Sequence, residues 1–292
     1  MLSVLIPTYN YNIFSLVEEL HKQCTLIDEL QFEIIVIEDG STLYTKENNQ
    51  IITLKNCKHI CLKYNIGRSA VRNLLAEKAA FTHLLFLDAD VRLISPDFIN
   101  KYLLYCNKPN SVVFGGCSYH DNSYSRATSL RFHFGKKREA ISSFERNKKP
   151  FKYILSANFL ILKSDFLLLN IPNTNAYGMD NYFSYLLNIH NKKIIHIDNS
   201  VWHCGLEENQ VFLEKSLKSA QLRKENWLVI KNFSNNNTLL KTYNKFNFFP
   251  LNSIFGITFK IIGPFLKKLF FKPQPNLRAF DLYRLLYLFK LK

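Results

Sequence analysis

The chain has 292 residues, 47% of them apolar, and carries 38 Lys and Arg against 23 Asp and Glu, a formal net charge of +15. That apolar share excludes a disordered chain, and the length accommodates one large domain with an appendage or two small domains. The positive excess favours anionic partners, whether nucleic acid, anionic lipid or phosphorylated small molecules, without choosing among them.

Residues 2–6, LSVLI, read as a short buried strand stopped by Pro7. Ile13, Leu16, Val17 and Leu20 follow with helical spacing, and Asn12 is a candidate N-cap. FEIIVIEDGS is a second buried strand ending in acidic and turn residues, and HICLKYN a shorter third. Ala70, Val71, Leu74, Leu75 and Ala79 mark another amphipathic helix. HLLFLDAD is a fourth strand, after which Ser95-Pro96 opens a helix. This alternation predicts right-handed βαβ units in a mainly parallel sheet, where ligands bind at the carboxyl ends of the strands. The polar clusters PTYN, EDGS and DAD all fall at such ends.

The second half is less regular. SVVFGGCSYH reads as a strand broken at Gly115-Gly116, and residues 121–150, polar and basic, as an exposed loop or insertion. SANFLILKSDF is strand-like, 181–190 helical, KKIIHID a strand, and ENQVFLEKSLKSAQLRKENWLVIK a long amphipathic helix. NFSNNNT resembles a linker. This divides the chain into residues 1–235 and a basic, aromatic C-terminal extension, 236–292. From residue 240 onward, ten Lys and Arg stand against one acid, Asp281. The extension is too interrupted by lysine and proline to span a membrane. It reads either as a segment lying in an anionic membrane interface or as helices packed on the rest of the chain. The six cysteines lack zinc-site spacing, and MLSVLIPTYN lacks a signal peptide's basic and apolar regions. The expected location is the cytoplasm, with peripheral contact to the inner face of the cell membrane.

Asp88 and Asp90 follow an apolar run. Carboxylates two apart on a strand share a face, and their repulsion is relieved by a hard cation such as Mg²⁺ or Mn²⁺. Alone, such a short pair is better read as two solvated turn residues, since it occurs by chance. Here it is the last of four ordered clusters: PTYN, EDGS, NIGRSAVRN and DAD. In this respect the chain resembles the family-two glycosyltransferases, closely over residues 1–90 and more loosely to about 205. The resemblance implies a GT-A fold and inverting transfer of a sugar from a nucleoside diphosphate to an acceptor hydroxyl, with a UDP-sugar as donor and surface polysaccharide or glycolipid as product.

It further implies that Pro7, Thr8, Tyr9 and Asp39 bind the nucleoside, with Glu38 where the family more often has Asp. Gly67, Arg72 and Asp88 would serve the rest of the donor, Arg68 lying one helical turn before Arg72. Asp88, Asp90 and His203, the last in SVWHCG, would hold the divalent metal. In NAYGMDNYF, Asp180 matches the family's acceptor base, where a helix start favours negative charge. Met179 replaces a Glu that often contacts the acceptor, so the acceptor, a glycan or lipid-linked one, is less well specified than the chemistry.

A nucleotidyltransferase would also pair aspartates on an α/β sheet, but PTYNYN lacks the glycine of a phosphate loop. An inactive sugar-nucleotide-binding relative is the other alternative. Nucleic acid is not an expected partner, since the charge is unaccompanied by a recognised binding motif.

Overall fold

The computed structural model describes residues 1–121, 123–170, 180–225, 238–247 and 252–291. These fall into two units, each with its own core. The first comprises the described parts of 1–120, 139–175 and 186–205, and the second those of 121–138, 176–185 and 206–292.

In the first unit a seven-stranded sheet is built from β1 (Leu2–Thr8), β2 (Phe32–Glu38), β3 (Cys57–Cys61), β4 (His83–Leu87), β6 (Ser111–Phe114), β8 (Asn158–Leu162) and β9 (Lys193–His196), in the order β3-β2-β1-β4-β8-β6-β9. β1 pairs in parallel with β2 and β4, and β2 with β3. β8 is the exception, antiparallel to both β4 and β6. A second sheet has β10 (Val201–His203) between β5 (Val91–Leu93) and β7 (Cys117–Ser118).

The central strands are mostly apolar because both of their faces are covered. Leu2, Val4, Leu5 and Ile6 of β1 and Ile34 to Ile37 of β2 are fully buried. Helix α1 (Phe14–Thr25) buries Leu16, Val17, Leu20, Gln23 and Cys24. The N-cap is Ile13, not Asn12, and no side chain caps the helix; Asn12 Oδ1 instead accepts from the Phe14 amide two residues on, at 3.2 Å. After α2 (Thr45–Asn49), α3 (Arg68–Lys78) buries Val71, Arg72, Leu75 and Ala76. Ser95-Pro96 lies just ahead of α4 (Phe98–Leu103), whose N-cap is Asp97. The strand expected over SANFLILKSDF ends at Leu162, and Lys163–Leu169 form α7.

The reading of 121–150 as an exposed loop is corrected. Ser129–Arg138 form α5 and Ser143–Lys148 form α6, with Leu130 and Phe132 buried in the former and Arg146 in the latter. Net positive composition hid the helices because their burial depends on a few residues. Arg146 is 2% exposed. Its guanidinium donates to the carbonyls of Ile141 (3.0 Å), Phe114 (3.2 Å), Gly115 (2.9 Å) and Ile197 (2.8 Å), and to His196 Nδ1 at 3.0 Å. A buried guanidinium is tolerated only when its donors are met in this way. Because arginine only donates, His196 Nδ1 must accept, and His196 Nε2–H donates to Pro150 O at 2.9 Å. That tautomer has no room for a second proton.

In the second unit α5 shares a core with α9 (Asn209–Glu225), α11 (Asn252–Phe270) and α12 (Leu277–Lys290). That core centres on Leu130, Phe212, Leu213, Leu266, Phe270 and Phe280. A satellite cluster joins Ala220, Leu288 and two residues of α10 (Thr238–Asn247), Leu240 and Tyr243. Asp281 pairs with Arg138 at 2.5 Å and Arg284 at 2.6 Å. Helices of the basic extension thus bury apolar residues in clusters shared with α5 and α9. The NFSNNN stretch lies outside the described residues. No described helix is long and apolar enough to cross a membrane.

Burial pushes the His196 imidazole from 6.5 down to about 4, and neighbouring Arg146 adds to the shift. Between those limits the unfolded chain takes up a proton that the folded one refuses. Stability should therefore fall by roughly 3 kcal/mol as pH drops from 6.5 to 4. Urea unfolding across that range should show this slope, and His196→Gln should largely flatten it.

Candidate active site

The carboxyl ends of β1, β2 and β4 are where the apolar requirement lapses, and each carries one of the polar clusters. After β1, Asn10 takes a left-handed φ of 51°. Its Oδ1 accepts from the amides of Thr42 (2.7 Å) and Leu43 (3.0 Å), while its own amide donates to Ser41 Oγ at 2.9 Å. The PTYN turn is thereby clasped to the turn after β2. Pro7 pairs with Ile37 in the sheet, Thr8 is buried, and the Tyr9 ring is 55% exposed.

Asp39 continues the ladder, donating its amide to Thr8 O at 2.8 Å. Its carboxylate accepts from the amides of Ile66 (2.7 Å) and Gly67 (3.0 Å). Gly67, with φ of 92°, caps α3. Gly40 permits this approach, since a Cβ there would lie 2.4 Å from the Asn65 nitrogen. Asp39 thus holds the NIGRS loop by two charge-assisted bonds, each carboxylate oxygen retaining a further lone pair.

Glu38, by contrast, points inward. It is fully buried, accepting from Asn48 Nδ2 at 2.6 Å and lying 3.3 Å from His59 Nε2. Burial raises its pKa, but the hydrogen bonds from His59, Ser41 and Asn48 outweigh that and leave it lowered.

The strand carrying the acidic pair stops at Leu87, so strand alternation does not align Asp88 with Asp90. The two have different partners. Asp88 pairs with Arg72, whose side chain is buried, and lies 3.0 Å from Arg68, which also donates to Ser156 Oγ at 2.8 Å. Arg72 is therefore a buried, paired guanidinium and not a solvated surface group.

Asp90 faces elsewhere. The antiparallel register of β5 and β10 sets His203 opposite Val91 and brings His203 Nε2 to 3.6 Å from Asp90 Oδ2. His203 stacks on Tyr119, with centroids 5.6 Å apart, and its Nδ1 is buried without a hydrogen-bond partner among the described residues. Gly205 packs against the same carboxylate so closely that a Cβ would lie 1.9 Å from Asp90 Oδ2. Nothing local in the sequence links Gly205 or Tyr119 to Asp90, and sequence reasoning passed over both.

No group of three His, Cys, Asp or Glu side chains suited to a metal gathers among the described residues. An imidazole and a carboxylate with open positions still match a hard cation that takes its remaining oxygens from a diphosphate and water. Asp180 opens the described part of α8 (Asp180–Ile189) and lies within the second unit's span. Gly178 and Met179 lie outside the described residues.

A large mixed sheet flanked by helices is the architecture this chain shares with the GT-A glycosyltransferases. The chain belongs to glycosyl transferase family 2, whose model matches residues 3–164, more than half of its length. A curated relative, an uncharacterized glycosyltransferase of Rickettsia conorii, is 33% identical over 119 residues, 41% of this chain and 19% of the relative. The chain thus matches only about a fifth of that protein's length. Among solved structures, S. aureus TarS 1-349 superposes with a TM-score of 0.54 at 17% identity, covering 97% of this chain and 89% of that one. The mannosyltransferase PcManGT from Pyrobaculum calidifontis, solved with GDP-Man and Mn²⁺, gives 0.52 at 14%, covering 75% and 61%.

Replacing Asp39 by Asn leaves one oxygen for two backbone donors. Asp39→Asn should cost about 1–3 kcal/mol in chemical unfolding. An unchanged unfolding midpoint would show that the loop amides find other acceptors.

Proposed function

We propose that this family 2 enzyme transfers a sugar from a nucleoside diphosphate donor, a UDP-sugar, to an acceptor hydroxyl with inversion. The observation that carries this reading is the meeting of Asp90 and His203 beside the end of β4, in the unit that also carries the Asp39 and Arg72 contacts. TarS 1-349 has been solved with UDP-GlcNAc and with UDP, which supports a uridine donor here.

Each residue then has a physical task. The exposed Tyr9 ring offers a face to the base, while Pro7 and Thr8 shape the turn beneath it. The spare lone pairs of Asp39 accept from the base's N–H. Gly67 at the start of α3 and the guanidinium of Arg72 favour the diphosphate. Asp88 acts on the donor by fixing Arg72 and Arg68, and reaches a metal only if those pairs loosen. Asp90 and His203 would hold Mg²⁺ or Mn²⁺, which supplies Lewis-acid neutralisation of the leaving diphosphate. Asp180 takes the acceptor's proton, so that the attacking oxygen bonds to the anomeric carbon as the bond to the diphosphate oxygen breaks.

The acceptor in this reading is a glycan or lipid-linked intermediate of surface polysaccharide or glycolipid assembly, met at the inner face of the cell membrane. The extension, residues 236–292, supplies the peripheral contact with that membrane.

Thermal unfolding with UDP, GDP, dTDP or CMP, each with Mn²⁺ or EDTA, tests the donor site. UDP with Mn²⁺ should raise the midpoint, and EDTA should reduce that rise. Asp90→Ala and His203→Ala should lose the metal-dependent part while keeping the parent midpoint without ligand. A rise unaffected by EDTA or by either variant would refute the metal assignment. In a separate turnover assay, Asp180→Asn should lower kcat by about 10²–10⁴-fold with donor binding retained. Parent-like kcat would remove Asp180 from the mechanism.

A further inference from the structure

Helix α11 has two apolar sides, only one of which is covered. Phe255, Phe259, Ile262, Leu266, Leu269 and Phe270 pack into the core shared with α5, α9 and α12. On another side, Ile254, Ile257, Ile261 and Phe265 are 54%, 57%, 72% and 63% exposed. Their spacing of three, four and four residues lines them along one edge of the helix, over a length of about 16 Å. Single exposed apolar residues are ordinary, but a continuous row is a contact surface.

The row ends in positive charge. Lys268 continues it past Phe265, Lys260 and Lys267 lie to one flank, and Lys272 follows. Between residues 252 and 280 there is no Asp or Glu, and the next acid, Asp281, is already paired with Arg138 and Arg284.

We infer that this outer edge of α11 seats the enzyme on an anionic lipid surface, the apolar row entering the headgroup boundary and the lysines meeting lipid phosphates. The helix lies in the surface and does not cross it, as no described helix is long and apolar enough to do so. A second copy of the chain is the weaker occupant, because two molecules that each carry a formal +15 repel each other. The inference deepens the reading of a membrane-borne acceptor, and its test reads lipid binding, so that either can fail alone.

The full-length chain should sediment with phosphatidylcholine vesicles containing phosphatidylglycerol, far less with phosphatidylcholine alone, and progressively less as salt rises. Ile257→Ser/Ile261→Ser/Phe265→Ser should weaken binding about tenfold or more, and Lys267→Glu/Lys268→Glu should abolish the preference for anionic vesicles. Both variants alter exposed or half-exposed side chains and should keep the parent's melting midpoint and its response to UDP and Mn²⁺. Parent protein that stays in the supernatant with anionic vesicles would overturn the inference, and so would a row variant that binds as well as the parent. A parent dimer that the row variant dissociates, without vesicle binding, would assign the edge to a second copy.

Discussion

Burial of the parallel strands on both faces is the constraint from which the rest follows. A strand covered on both sides cannot carry an unpaired polar group without losing several kcal/mol per group. Where β1 and β2 break this rule they do so as a matched set. Ser3 donates to Glu33 at 2.7 Å, and Glu33 also receives Lys58 and the Ala80 amide. Burial pushes Glu33 up, but these hydrogen bonds prevail and hold it below the usual range. In β1, β2 and β4 the remaining polar clusters lie at the strand ends, where the backbone turns and solvent returns.

The strand-end clusters are tied to one another as well as to the sheet. Asn10 binds the turn after β2, and Asp39 of that turn binds the loop that starts α3. From α3, Arg72 reaches the acid after β4. Four segments distant in sequence thus become a single hydrogen-bonded rim, fastened by charge-assisted bonds that outlast neutral ones. A rim fixed in this way is organised before any ligand arrives, and such preorganisation lowers the cost of binding.

This rim was legible from sequence because each part has a local signature: an apolar run of strand length, then turn residues and acids. Strand direction was less so. β8 has the same composition as its parallel neighbours, and only its partners reveal that it runs the other way. The partners of the acids were hidden too. Asp88 and Asp90 look alike in sequence, yet one faces arginines and the other a histidine, because the strand ends before them. Glu38 and Asp39 are adjacent acids with opposite directions, one inside against Asn48 and one holding a loop. The span 121–150 misled because mean polarity says nothing about which few residues are buried. Arg146, counted as a surface charge, is fastened to four carbonyls in the interior.

The short pairing of β5 with β10 has a consequence for how the enzyme comes into being. It joins residues 91–93 to residues 201–203, so Asp90 and His203 meet only after most of the first unit has been synthesised and closed into a loop. Such long-range closures carry an entropic cost that early, local contacts do not repay. A chain emerging from the ribosome can therefore assemble β1 to β4 and their clasped turns while still lacking the imidazole. The contact of Asp90 with His203 is therefore acquired late, when β10 takes its place beside β5.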